Sequence, residues 1–116
     1  MFVSGGQLYD EAFDVYHSDG TELMNDIPPP GLGNVCLGVW VKTGGRSIKL
    51  KHVFWIFDNN GSLIGRGVVH EQITLSSDAN SYAGTFTFEF RDLSGNPIAS
   101  MPDVAGDLAA TRITPD

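Results

Sequence analysis

Hydrophobic and polar residues alternate along much of this chain, and short glycine- and asparagine-rich stretches interrupt them at strand-length intervals. The clearest case is residues 82–91, where Tyr82, Phe86, Phe88 and Phe90 fall in one phase and Thr85, Thr87, Glu89 and Arg91 in the other. A period of two marks a strand with one buried face. Turn-forming compositions recur at Ser18–Thr21, Thr43–Arg46, Asn59–Ser62, Ser77–Asn80 and Ser94–Pro97. There Gly and Asn supply positive φ, and Asp or Ser closes local side-chain bonds. No segment repeats its apolar residues at helical spacing. The pattern predicts an all-β, antiparallel meander of hairpins, with strands over 12–17, 21–26, 35–43, 47–58, 62–76, 81–92 and 107–114. Residues 2–8 can add a short strand. Ile27–Gly33 contains three consecutive prolines and is expected to be an extended crossover, because proline cannot donate to a central ladder. Residues 97–106 are expected to be irregular, since Pro102 interrupts them.

Two turns set a register. A two-residue loop at Asn60-Gly61 pairs Phe54 with Gly67, His52 with Val69, Leu50 with Glu71 and Ile48 with Ile73. A loop at Asp78-Ala79 pairs Ile73 with Gly84, Glu71 with Phe86 and Val69 with Phe88. The two turns are independent, yet together they gather Ile48, Leu50, Phe54, Val69, Ile73, Leu75, Tyr82, Phe86, Phe88 and Phe90 on one face. A slip of one residue would invert that face everywhere, so the agreement supports the register. Gly65, Gly67 and Gly84 fall where a sheet must bend or pack closely, as barrel closure requires.

The segments Gly38-Val39-Trp40, Ser62-Leu63-Ile64-Gly65, Ile73–Ser76, Tyr82–Thr87 and Ala110–Thr114 resemble those of short bacterial lipocalin-like (calycin-type) barrels, over most of residues 9–114. Gly38-Val39-Trp40 is similar to the lipocalin Gly-x-Trp, and the resemblance implies that Arg112 packs on Trp40. More than thirty residues precede Gly38, and the chain is short for eight strands and a helix. The resemblance therefore implies a small lipocalin-like barrel, incomplete in itself or completed by a partner chain. A more distant likeness to allene-oxide-cyclase-type barrels implies isomerase or cyclase chemistry in an apolar cavity.

Composition narrows the function classes. The net charge of −7 argues against binding nucleic acid through its phosphates. The charge is uneven, with no Lys or Arg before Lys42 and six acidic residues between Asp10 and Asp26. No apolar run approaches the roughly 20 residues that cross a bilayer as a helix. Met1–Gly6 has neither the basic nor the apolar region of a signal peptide, and both a cytoplasmic protein and a trimmed secreted form fit the sequence. Cys36 is the only cysteine, which excludes an intrachain disulfide and a thiolate metal cluster. Gly31-Leu32-Gly33 lacks the third glycine and the strand–helix context of a dinucleotide fingerprint, and Asp58–Gly61 lacks the bidentate Glu of a calcium loop. His17 and His70 read as surface histidines. No cofactor or metal is expected.

His52 and Glu71 are different, because the register turns both toward the aromatic face on adjacent strands. Two ionisable groups on such a face cost several kcal/mol unless paired, hydrogen-bonded or neutralised. They are the candidate acid/base or polar-anchor pair, in a pocket walled by Leu50, Phe54, Val69, Tyr82, Phe86 and Phe88. A satisfied structural pair is the competing reading. The first function expected is binding of one small apolar molecule. The alternative is a cofactor-free barrel enzyme (isomerase, cyclase or lyase) using the pair, and a third reading is a module whose outer surface binds a partner. Strand 47–58 is apolar on both faces, with Val53, Trp55 and Phe57 outward. This predicts a homodimer or trimer built on those three residues, unless the N-terminal segment or the proline-rich stretch covers them.

Overall fold

The computed structural model describes residues 1–116. Nine strands run in chain order: β1 (Phe2–Ser4), β2 (Gln7–Asp10), β3 (Ala12–Tyr16), β4 (Thr21–Asp26), β5 (Val35–Lys42), β6 (Ser47–Phe57), β7 (Leu63–Leu75), β8 (Ser81–Asp92) and β9 (Val104–Thr111). They form one antiparallel sheet in the order β2-β1-β9-β8-β7-β6-β5-β4-β3. The sheet curls into a nearly closed barrel with one unsealed seam. The seam lies between the terminal strands β2 and β3, which only Glu11 separates in the chain.

All seven expected residue pairs occur: 54/67, 52/69, 50/71 and 48/73 between β6 and β7, and 73/84, 71/86 and 69/88 between β7 and β8. The turns reach this register by longer routes than two-residue loops. Asp58 N–H bonds Ser62 O and Gly61 N–H bonds Asp58 O, and a bulge beside Phe57 restores the pairing. The second loop spans Ser77–Asn80, with Ala79 at φ 58°, and Asp78 Oδ1 accepts from Ser76 Oγ and Asn80 N–H. Leu50, Val69, Ile73, Phe86, Phe88 and Phe90 are buried inside, and Ile48, Phe54 and Tyr82 are half-buried; Leu75, at the strand end, is exposed. Edge-to-face contacts join Phe86, Phe88, Phe54 and Phe2. Gly67 leaves room for the Phe54 ring and Gly84 for the Gln72 carbonyl, so both glycines serve close approach.

Four expectations need correction. Residues 2–8 form not one strand but a hairpin, β1–β2, whose turn Gly5-Gly6 has positive φ at both positions, as a tight two-residue loop demands. Strand β9 begins at Val104, because its pairing with β8 runs to Phe88↔Val104 and Pro102 lies just outside it. Ile27–Gly33 is no crossover. It is a long loop between the paired neighbours β4 and β5, carrying a 3₁₀ turn at Pro30–Leu32. Trp40 finds other partners than Arg112: its indole N–H donates to the carbonyls of His17 (3.1 Å) and Thr21 (3.2 Å), its ring meets Tyr16, and Arg112 is exposed.

Pairing outward from β6 fixes what the pattern leaves open in β3–β5. His52 points inward and pairs Gly38, Gly38 pairs Glu22, and Glu22 pairs Tyr16. The inward side of these strands is therefore Asp14, Tyr16, Glu22, Met24, Asp26 and Cys36. Their outward side carries an aliphatic row across five strands: Val15↔Leu23↔Leu37↔Val53↔Val68. Leu37 is 62% exposed in this row.

Candidate functional site

The predicted pair meets in the middle of the barrel. β6 delivers His52 and β7 delivers Glu71, both almost fully buried, with His52 Nε2 3.9 Å from Glu71 Oε1. A third group joins them from β4. Both carboxylate oxygens of Glu22 lie 3.3 Å from His52 Nδ1. Gly38 makes this possible, since a Cβ there would overlap Glu22 Oε2 and lie 2.8 Å from His52 Cβ. Beside them Asp14 Oδ2 accepts from the Tyr16 hydroxyl (3.2 Å) and lies 3.5 Å from that of Tyr82.

Burial dominates the titration of these groups. It raises Glu71 to about 8, with the nearby Asp14 and Glu22 carboxyls adding to the effect. It raises Asp14 to about 8 as well, reinforced by Glu22, and pushes Glu22 upward. His52 is lowered to about 4, because burial penalises the imidazolium more than Asp14 and Asp10 support it. At neutral pH His52 is thus an uncharged imidazole. Where Glu22 is ionised it accepts the Nδ1 proton, which leaves the Nε2 lone pair on the side of Glu71. A base oriented by one carboxyl group and a protonated acid now stand side by side. Asp14 also shares a carboxyl-to-carboxyl hydrogen bond with Glu22. The buried atoms left without a partner are His52 Nε2 and both oxygens of Glu71, and a buried polar group without one costs about 1–3 kcal/mol.

A second acidic group lies toward one end of the barrel. Asp10, the last residue of β2, is 7% exposed, and Asp26, the last of β4, is its carboxyl neighbour. Burial and mutual repulsion raise Asp26 to about 7, and burial raises Asp10. The Cys36 thiol lies 3.5 Å from Asp26 Oδ1 and is itself pushed upward by burial. These carboxyls open onto a cavity of about 340 Å³. Its walls include Tyr9, Phe54, Trp55, Phe57, Phe88 and Phe90, and the loop residues Pro28, Leu32 and Gly33 close one side.

The predicted site residues therefore divide. Phe54 and Phe88 line this mouth cavity. Leu50, Val69 and Phe86 are core around the His52–Glu71 pair, and Tyr82 belongs with Tyr16 and Asp14. Sequence reasoning missed Asp10, Asp14, Glu22 and Asp26. Tyr16 and Glu22 pair across the Ser18–Thr21 turn, and a register through that turn and Thr43–Arg46 was the signal that could have found Glu22. No group of three or more His, Cys, Asp or Glu side chains is disposed to hold a metal ion. Comparisons with protein-family models, curated proteins and solved structures found no match to this chain.

Proposed function

We propose that this barrel binds one small, largely apolar molecule at its mouth. The observation that carries the reading is the aromatic-walled cavity of about 340 Å³, within the range of pockets that enclose small ligands, roughly 300–1,000 Å³. Trp55 at its rim provides the assay. Titration with neutral 1-octanol should shift its emission, and Phe54→Ala should weaken that binding about tenfold, the contact area lost being worth about 1–2 kcal/mol. If no octyl probe, neutral or charged, changes the emission, the reading fails.

The unpartnered His52 Nε2 and Glu71 oxygens favour a second reading, a cofactor-free enzyme in which His52 Nε2 takes a proton and Glu71 gives one. Mass spectrometry of molecules recovered from the wild type and from Glu71→Gln separates the two. A chemical difference between the recovered molecules supports catalysis. The same molecule in both supports binding alone.

The aliphatic row of β3–β7 supports self-association, with the surface shifted from the one expected. Phe57 is half-buried beneath Gly33 of the β4–β5 loop, whereas Val53 and Trp55 remain exposed beside Leu37, Leu23 and Val15. No outward residue of β3–β6 is acidic, although the chain carries a net charge of −7. A second copy meeting this face thus brings no carboxylates together, and apolar sheet faces pack on one another about 10 Å apart. Sedimentation should report a dimer that Leu37→Asp converts to monomer. A wild-type monomer at high concentration would rule the dimer out.

A further inference from the structure

The mouth cavity combines two features that address different parts of one ligand. Aromatic rings from Tyr9, Phe54, Trp55 and Phe88 present apolar faces, and the carboxyls of Asp10 and Asp26 lie among them. No Lys or Arg lines this cavity. Inside the barrel the same imbalance continues, since Asp14, Glu22 and Glu71 face a single histidine and every Lys and all but one Arg are exposed. The exception, Arg91, is engaged with Asp103 at 2.7 Å on the outside. Asp10 is more than nine-tenths buried, yet only its Oδ1 accepts a main-chain hydrogen bond, from Glu11 N–H. Asp26 has the weak thiol donor of Cys36. The two carboxyls also hydrogen-bond one another, which requires a proton between them; a cation seated there would take that proton's place.

Resting on the binding reading above, we propose that the mouth cavity takes an organic ammonium ion, its cationic head against Asp10 and Asp26 and its hydrocarbon body among the aromatic rings. An ammonium group gains both from the carboxylates and from the ring faces, since a cation within about 6 Å of an aromatic centroid is attracted by its quadrupole. A neutral ligand uses only the apolar walls, and an anion is repelled.

The test is a matched series differing only in head-group charge: octyltrimethylammonium, 1-octanol and octanoate, titrated calorimetrically and by tryptophan emission against the full chain. The ammonium should bind at least about tenfold more tightly than octanol, and octanoate most weakly. The double variant Asp10→Asn/Asp26→Asn should remove the ammonium preference and leave octanol affinity within about twofold, which also shows that the variant folds. Octanol or octanoate binding as tightly as the ammonium overturns the cationic assignment while the binding reading stands. Failure of all three to bind overturns both.

Discussion

Stability is expected to fall by several kcal/mol as the pH rises from about 5 to about 8, each titrating group contributing about 1.4 kcal/mol per tenfold change in its proton affinity. The cause is the uncompensated acid inside the barrel. Asp14 and Glu71 are raised to about 8 in the folded chain, against about 4 for such carboxyls when unfolded. Between those values the folded state holds protons that the unfolded state has released, so each group stabilises the fold fully below about pH 4 and loses that contribution as the pH passes its folded value. Asp26, raised to about 7, acts in the same direction. His52 opposes them. Its value is lowered to about 4, so its contribution is present above about pH 6.5, its ordinary value, and is lost as the pH falls. Three carboxyls against one imidazole leave the optimum on the acidic side, below about pH 5. Urea denaturation at constant ionic strength across pH 4–9 measures the profile, and Glu71→Gln should flatten its alkaline limb. Stability that is constant or rising from pH 5 to 8 would show that these carboxyls are ionised within the fold.

Gly38→Ala is expected to destabilise by about 1–3 kcal/mol, the usual cost of forcing atoms into a packed interior. It should also separate Glu22 from His52. The methyl group would overlap Glu22 Oε2 and press on His52 Cβ, and the backbone cannot retreat because Gly38 is paired on both sides, with Glu22 and His52. Nitrogen NMR of the imidazole supplies the readout: the Nδ1 proton held by Glu22 in the wild type should be lost in the variant. Gly45→Ala is the control. A Cβ there meets nothing within 4 Å, and surface changes of that kind usually stay within about 0.5 kcal/mol. A stable Gly38→Ala protein with an unchanged His52 spectrum would show that the Glu22 carboxyl does not depend on this gap.

How much of this was legible without coordinates differs from strand to strand. In β8 the aromatic residues fall in one phase and Thr85, Thr87 and Glu89 in the other, so burial permits one register. That strand fixes β7 and β6 in turn, which is why the pairing of residues 48–54 with 67–73 and of 69–73 with 84–88, and the approach of His52 to Glu71, followed from the sequence. In β3–β5 apolar residues stand in both phases, as in Leu23 beside Met24 and Val39 beside Trp40. Each intervening turn accommodates more than one loop length, and a single slip exchanges core for surface. Only the pairing of Gly38 with His52 turned Glu22 inward and left Leu37 outside. Closure lies further from local pattern. That β1 pairs β9, across more than a hundred residues, and that Asp10 meets Asp26 beside the seam are contacts between chain segments whose own sequences carry no sign of one another. Local pattern was enough for an antiparallel β fold, the register of the three longest strands and one buried pair. Strand pairing, set by the well-patterned half of the barrel, overrides the hydrophobicity of the other half, and it alone places five carboxyls in the interior with one histidine.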